Sequence, residues 1–211
     1  MKKILLGIML VLSISILCLT GCSTKSETAL NSESSSNKES VSNQNVTKIH
    51  FDYPVYNDVD TLSNDAKIIV TGSIIKDSVT REININAGEN RDKAPTNFIY
   101  TISELKVEKV LKGDVKVGDI LEIKQAGGTD TNKTTLVEGA KYLRTDDRGL
   151  FFLSEKYVFD IPYDMINPDQ GFVQFDDGKT KNTDKKVFTD NLKEEDIISK
   201  VKQSVESNAK K

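Results

Sequence analysis

The chain has 211 residues, with 29 basic and 32 acidic side chains and a formal net charge of −3 at pH 7. A mildly acidic chain offers no basic surface for nucleic acid, which is therefore excluded as a partner. Its single histidine, His50, and its two cysteines, Cys18 and Cys22, argue against a zinc centre and against a histidine-based catalytic triad.

The first 21 residues have the three parts of an export signal. Two lysines precede an apolar run over residues 4–19, and the small residues Thr20 and Gly21 follow it. A membrane-spanning helix is the alternative, because ~20 apolar residues cross a bilayer. The run stops at small residues, however, and no basic cluster follows. Residues 1–21 are therefore predicted to be a signal peptide.

The segment "LTGC" at residues 19–22 resembles the lipobox of bacterial lipoproteins. The resemblance implies transfer of a diacylglyceryl group to the Cys22 sulfur and cleavage after Gly21. Two acyl chains, at ~0.8 kcal/mol per buried methylene, suffice for stable attachment. We expect the mature protein to be bound to lipid of the cell membrane through Cys22, on the extracytoplasmic face. Cys18 is removed with the signal, so a disulfide within one chain is excluded.

Residues 22–47 are predicted to be the lipidated cysteine and a flexible linker. The segment is rich in Ser, Asn, Glu and Lys and lacks hydrophobic periodicity, so burial cannot offset the entropy of ordering it. Its random-coil reach is ~25 to 30 Å. Residues 48–211 have the size of one domain. A stalked ectodomain without disulfides favours a Gram-positive envelope.

The pattern of the domain is mainly β. Alternating apolar residues at 49–55 predict a first strand. Residues 61–67 predict a short helix, with Asp60 or Thr61 as its N-cap.

Two long strand patterns follow. Residues 67–85 predict either one strand or two strands with a kink near Gly72. Residues 97–114 predict a long strand. Its apolar residues shift from even-numbered to odd-numbered positions, which point to opposite faces of a strand. A β-bulge near Ser103 and Glu104 accounts for that change.

The rest of the domain contains shorter strands and a terminal helix. Further strands are predicted within residues 120–125, 136–143, 150–161 and 171–180, the last with a hairpin turn at Asp177-Gly178. Residues 192–207 predict an amphipathic helix, because apolar residues share one face and acidic residues lie near its N-terminus.

A second resemblance concerns residues 66–155. The lysine-glycine-aspartate turn at 112–114, the glycine pair at 127–128, and Gly139 followed by Tyr142-Leu143 resemble bacterial relatives of netrin-like domains and of tissue inhibitors of metalloproteinases. The resemblance implies a small OB-like Greek-key β-barrel of five strands. The animal inhibitors chelate zinc through a free N-terminal cysteine, whereas Cys22 is predicted to be lipidated, so this mechanism is excluded. The insert 144–149 predicts a protruding hairpin tip.

Two sets of residues are weak candidates for ligand binding. Asp146, Asp147 and Arg148 form either an exposed recognition tip or a solvated cluster of self-paired charges. The aromatic residues are compatible with a carbohydrate or peptide groove, but most are expected in the core. Near Pro162, which cannot continue an interior strand, an exposed patch is predicted to comprise Tyr157, Phe159, Ile161, Pro162 and Tyr163.

No metal site or cofactor is predicted. Asp130 and Asn132 resemble the start of a calcium loop, but Thr135 and Lys141 occupy the positions where glycine and glutamate are needed.

Three functions remain open. The first is a non-enzymatic, lipid-anchored module that binds an envelope protein, peptide or glycan. The second is an extracytoplasmic hydrolase that uses carboxylates such as Asp146, Asp147 or Asp164, which requires two convergent carboxylates in a concave pocket. The third is a purely structural envelope lipoprotein without a partner.

Overall fold

The computed structural model describes residues 45–86, 95–131, 133–156, 161–181 and 183–210. Within them the chain is mainly β and ends in an α-helix, as predicted. The elements in chain order are β1 Asn45–Ile49, α1 Val59–Asp65, β2 Ile68–Ile74, β3 Val79–Asn84, β4 Asn97–Lys112, β5 Ile120–Ala126, β6 Gly128–Asp130, β7 Lys133–Val137, β8 Arg148–Leu153, β9 Tyr163–Asp164, β10 Phe172–Asp176, β11 Lys179–Lys181 and α2 Glu194–Asn208.

The strands form two sheets. The larger sheet has the order β11-β10-β8-β2-β4-β5-β9, with β3 paired to β4, and the smaller sheet has the order β1-β7-β6. The strand ladders among the described residues do not close on themselves, so a closed barrel is not found. One isolated bridge, between Leu153 and Met165, connects the end of β8 with the residue after β9.

The central strands are buried on both faces, which explains the continuous apolar runs "IIV" and "LFFL". On β2, Ile69 packs in a core with α1 and α2, whereas its neighbours Ile68 and Val70 pack in a second core on the other face. On β8, Phe152 packs in the core with the helices, and Phe151 packs in the second core. Helices therefore cover one face of the sheet, and side chains of β2, β4, β5 and β8 form a second core on the other face.

The two helices were predicted from their local patterns. α1 lies close to its predicted position, and its cap is Asp58, whose Oδ1 accepts a hydrogen bond from the Thr61 backbone N–H at 2.7 Å. α2 has three acidic residues in its first turn, as predicted, where they oppose the helix dipole. Its Ile197, Ile198 and Val201 are buried.

Arg148, at the start of β8, ties α2 to the sheet. Its Nη1 and Nη2 donate to the two oxygens of Glu194 at 2.7 and 2.8 Å, and its Nε donates to Glu108 at 2.9 Å. The guanidinium also lies over the Phe175 ring, 5.6 Å from its centroid. We call Arg148, Glu108 and Glu194 the helix cluster.

Two predicted strands are wrong. β1 ends at Ile49, and residues 50–56, here called the strap, have no regular structure. Pro54 has no N–H for a ladder, and its carbonyl accepts instead from Asn167 Nδ2 at 2.8 Å. Only the first two residues of 136–143 belong to a strand, because Gly139 has φ of +73° and turns the chain. Without a strand before it, the segment 144–149 forms no hairpin tip.

The position of the bulge and the break after β2 also differ from prediction. The pairing of β4 with β5 is regular around Ser103, whereas its pairing with β2 shifts at Glu108 and Leu111. Residues 67–85 contain two strands, and the break lies after Ile74 rather than at Gly72. In contrast, β5 and the β10–β11 hairpin form as predicted. No helix within the described ranges is long and apolar enough to cross a membrane.

Candidate functional site

A cleft of about 370 Å³ opens where the strap, β4, β5 and β9 meet the turn after β7. We call it the aromatic cleft, because Phe51, Tyr53 and Tyr100 line it. Its size lies at the lower end of the ~300 to 1,000 Å³ that is usual for small-ligand sites. The cleft therefore suits a ligand of one or two rings.

The base of the cleft contains an ion pair between Lys124 on β5 and Asp164 on β9. The two residues are direct partners in the parallel β5–β9 pairing, and Lys124 Nζ donates a hydrogen bond to Asp164 Oδ2. The Lys124 side chain is 7% exposed and that of Asp164 is 43% exposed. The carboxylate is therefore the partner that faces the opening.

A row of aromatic rings forms one side of the cleft. Phe51 lies 6.0 Å from Tyr53 and 5.8 Å from Phe98, and Phe98 lies 5.2 Å from Tyr100, measured between ring centroids. Tyr100 also lies under Lys124, whose Nζ is 5.1 Å from the ring centroid. Phe51 and Tyr53 remain 36% and 37% exposed, so their rings are open to a ligand.

The opposite wall is the chain from Val137 to Lys141, and Gln125 on β5 holds it in place. The Gln125 amide donates to the Lys141 carbonyl and accepts from the Leu143 N–H, both at 2.8 Å. The Tyr142 hydroxyl donates to the Ala126 carbonyl at 2.9 Å. The side chain of Gln125 thus takes the place of a strand ladder and fixes the width of the cleft.

The strap is held at both ends. At its start, the Glu138 N–H donates to the Ile49 carbonyl at 3.1 Å. At its end, Gln170 accepts from the Tyr56 N–H at 2.8 Å and donates to the Tyr56 carbonyl at 2.9 Å. Phe51 and Tyr53 are therefore positioned by backbone contacts that flank them.

Burial raises the pKa values of three side chains in the cleft, those of Tyr100, Tyr53 and Asp164. Burial, reinforced by the Asp164 charge, raises the pKa of Tyr100 to about 12 and also raises the pKa of Tyr53. The pKa of Asp164 is raised because desolvation outweighs the stabilisation by Lys124. Two further carboxylates that line the cleft, Glu138 and Asp169, are exposed to solvent. The two phenols are thus protonated donors at neutral pH.

Several polar groups of the cleft have hydrogen-bonding capacity that the described residues do not use. An ammonium has three donors, and Lys124 uses one of them on Asp164. Asp164 Oδ1 and the hydroxyls of Tyr53 and Tyr100 have no hydrogen-bond partner within the described part of the chain. The cleft therefore offers donors and an acceptor to a ligand.

The predicted acidic tip lies elsewhere. Asp146 is exposed with φ of +71°, and its N–H donates to the Ile74 carbonyl. Asp147 accepts from the Arg144 N–H at 2.8 Å and from Gln174 at 3.2 Å, beside a neighbouring cleft of about 650 Å³. Arg148 belongs to the helix cluster. These three residues thus serve mainly backbone and helix contacts.

Of the predicted exposed patch, the structure describes Ile161, Pro162 and Tyr163, and Ile161 and Pro162 are buried, so the prediction is wrong for these two. Tyr163 lies on β9, half-buried, with Lys156 Nζ 4.3 Å from its ring centroid. Tyr157 and Phe159 lie outside the described residues, and so does Cys22. Tyr163 neighbours Asp164 in the chain but does not line the aromatic cleft.

Tyr53 and Tyr100 belong to the aromatic residues that were compatible with a ligand groove but were mostly expected in the core, and no sequence signal pointed to Lys124 as a site residue. A lysine in "ILEIKQA" looks like an ordinary solvent-facing position of a strand. Within the residues that the structure describes, no group of three or more His, Cys, Asp or Glu side chains is placed to hold a metal ion.

Comparison with protein-family models finds no match, and a search of curated proteins finds no relative. The candidate site therefore rests on the geometry of the cleft.

Proposed function

We propose that this chain is a lipid-anchored protein of the extracytoplasmic membrane face, whose β domain binds an envelope ligand in the aromatic cleft without catalysing a reaction. The observation that carries the binding proposal is the unused hydrogen-bonding capacity of Lys124 and Asp164 beside the exposed rings of Phe51 and Tyr53. Open aromatic surface beside a few convergent polar groups is typical of ligand sites.

We further propose that the domain is an OB-like barrel that is incompletely closed. The strand order places β9 beside β5, and the Leu153–Met165 bridge links the other side of that segment to β8. The Ser154 N–H also donates to the Asp164 carbonyl at 2.9 Å. The cleft then lies at one end of the curled sheet, between the strap and the turn after β7.

A carboxylate-dependent hydrolase is the less favoured function. It requires two carboxyl groups that act on one bond, at ~5 to 10 Å if the bond is glycosidic. Glu138 and Asp169 also line the cleft, but both are exposed, whereas the Asp164 carboxylate is hydrogen-bonded to Lys124. A carboxyl whose neighbour is an ammonium is better arranged to hold a ligand than to share a proton with another acid.

Site-specific photocrosslinking in intact cells tests the binding proposal. A benzophenone amino acid replaces Lys141, an exposed residue at the rim of the cleft, and in a control chain it replaces Lys200, an exposed residue of α2. We expect an envelope component to be captured from position 141 and not from position 200. Equal products at both positions, or none at 141, would show that the cleft has no partner.

The lipid anchor has a separate test. Replacing Cys22 with alanine removes the thiol that the lipobox resemblance assigns to the diacylglyceryl group. We expect loss of metabolic labelling with fatty acid and a failure of signal-peptide processing. Unchanged labelling and mobility of the Cys22→Ala product would refute the anchor and leave the cleft proposal to stand by itself.

A further inference from the structure

The aromatic cleft also indicates the chemical class of its ligand, an inference that rests on the proposed function. Three properties of the described residues bear on the class: the charge balance of the cleft, the pairing of its strands, and the arrangement of its unused donors and acceptors.

The charge balance argues against an ionic ligand. The one buried cation of the cleft, Lys124, already has Asp164 as its counterion. The other acidic and basic side chains that line the cleft, Glu138, Lys141 and Asp169, are exposed to solvent, and Glu138 lies 3.6 Å from His50. Among these residues, every buried charge has a counterion, so a charged ligand is not needed to supply one. Burial of a charge without a counterion is strongly disfavoured.

The strand pairing argues against an extended peptide bound as an added strand. Such binding needs a free strand edge whose backbone groups are unpaired. At the base of the cleft, β5 is paired with β4 on one side and, at Ile123 and Lys124, with β9 on the other. The base therefore presents side chains, not backbone groups.

The unused polar groups suit hydroxyl groups. A hydroxyl is both a donor and an acceptor, so one hydroxyl can donate to Asp164 Oδ1 while its neighbour accepts from Lys124 Nζ. These two atoms belong to directly paired residues of adjacent strands, and so they present an acceptor and a donor side by side. The phenol hydroxyls of Tyr53 and Tyr100 add donors above them.

The exposed rings complete the match. Phe51 and Tyr53 present aromatic faces at the mouth of the cleft, 36% and 37% exposed. A pyranose ring has adjacent hydroxyls at its edge and an apolar face of C–H groups. We infer that the ligand of the aromatic cleft is a neutral saccharide, one ring of which stacks on Phe51 and Tyr53 while adjacent hydroxyls bind Asp164 and Lys124.

The experiment uses the full chain in detergent micelles and a panel of neutral tetrasaccharides built from N-acetylglucosamine, glucose, mannose or galactose. Saturation-transfer NMR and calorimetry report binding. We expect at least one tetrasaccharide to bind with a dissociation constant of about 1 mM or tighter, within reach of both methods. Saturation should be strongest on the C–H protons of one ring.

Two variants with matched controls test the assigned contacts. Asp164→Asn should weaken binding about tenfold or more, the usual effect of losing a hydrogen bond to a charged group. Asp176→Asn removes an ion-paired aspartate on the distant β10–β11 hairpin and should leave affinity unchanged. Tyr53→Ala should also abolish measurable binding, whereas Tyr53→Phe, which keeps the ring, should lose only a few-fold. Circular dichroism checks that each variant is folded.

The outcomes separate this inference from the proposed function. If no neutral tetrasaccharide binds while the crosslinker at position 141 captures a protein or peptide, the saccharide inference is wrong and the binding function stands. If saccharide binding persists unchanged in Asp164→Asn and Tyr53→Ala, the cleft is not the saccharide site. If neither saccharide nor crosslinked partner is found, both proposals fail.

Discussion

The helix cluster and the ion pair of the aromatic cleft are built from the same chemical groups but are connected differently. In the helix cluster, Arg148 places three nitrogens on two carboxylates and its face on Phe175. In the cleft, Lys124 places one of three donors on Asp164, and within the described part of the chain one carboxylate oxygen remains open. The difference teaches how to separate structural from ligand-binding charges: a structural charge has its hydrogen bonds satisfied within the fold, whereas a binding charge retains unused ones.

Loss of the arginine should have the largest effect on stability. Arg148→Met removes the two hydrogen bonds to Glu194, whose side chain is 15% exposed, and leaves it with the more distant Lys109 Nζ at 4.0 Å. Breaking a fully buried pair costs ~3 to 5 kcal/mol, but 37% of the Arg148 side chain is exposed, so we expect the free energy of unfolding to fall by about 2 kcal/mol. Urea denaturation measures this change.

A surface pair provides the control for that measurement. Arg81 lies 2.6 Å from Glu122, and both side chains are more than 40% exposed, at 42% and 44%. Arg81→Met should cost less than about 1 kcal/mol. If the two arginine variants are equally destabilised, the distinction between the helix cluster and an ordinary surface pair is lost.

The cleft pair should contribute little net stability. Replacing Lys124 with methionine and Asp164 with leucine together removes the desolvation of both charges, so we expect the double variant to lie within about 1 kcal/mol of the parent. Asp164→Leu alone should be less stable than the double variant, because it leaves a buried ammonium unpaired. A double-mutant cycle measured by denaturation gives the coupling. A large loss in the double variant would mean that this pair, like the helix cluster, is structural.

The smallest expected effect is a difference in pH dependence. Arg148 lowers the pKa of Glu194, so this stabilisation is complete above the ordinary glutamate pKa of 4.5 and is lost as the pH falls through the depressed value. Burial raises the pKa of Asp164, so the folded state binds its proton more tightly. Its contribution to stability declines as the pH rises from the ordinary value of 3.8 through the raised one.

Two variants separate these opposite contributions. Relative to the parent, Glu194→Gln should lose less stability as the pH falls. Asp164→Asn should lose less stability as the pH rises from 3.8 through the raised pKa of Asp164. The free energy of unfolding from urea titrations, at intervals from about pH 3 to pH 7, gives both curves. Parallel curves for parent and variants would contradict the assignment of both pKa shifts.

The elements that the sequence predicted well depend on local chemistry. The β10–β11 turn needs positive φ at two successive residues, and Asp177 and Gly178 adopt 48° and 69°. In α2, the apolar stripe and the acidic first turn are both contained in one stretch of the chain. Patterns of this kind are complete within a few residues, so no distant contact is needed to interpret them.

The predicted position of the bulge in β4 was wrong because both faces of this strand are covered. Ile102 and Ser103 are adjacent and are 2% and 1% exposed, so a change of parity in the apolar pattern does not require an extra residue there. The observed shifts at Glu108 and Leu111 follow from pairing with β2. Their cause is the geometry of two strands, which the pattern of one strand does not contain.

The aromatic cleft could not be predicted from the sequence for a related reason. Tyr53, Tyr100, Lys124 and Asp164 come from four separate segments, and they meet because the two-residue strand β9 pairs in parallel with β5. A strand of two residues has no periodicity to detect. Asp164 could be named as one of several candidate carboxylates, but its partner could not.

The strap gives the cleft a link to local unfolding. Its seven residues lack ladder bonds and are tied to the domain at Ile49 and Tyr56, while Phe51 and Tyr53 between them form a wall of the cleft. A ligand that contacts those rings binds only the closed strap, so it must suppress strap opening by mass action, in proportion to ln(1 + [L]/Kd). Occupancy of the cleft can therefore be followed by hydrogen exchange or by protease cutting at residues 50–56, even before the ligand itself is identified.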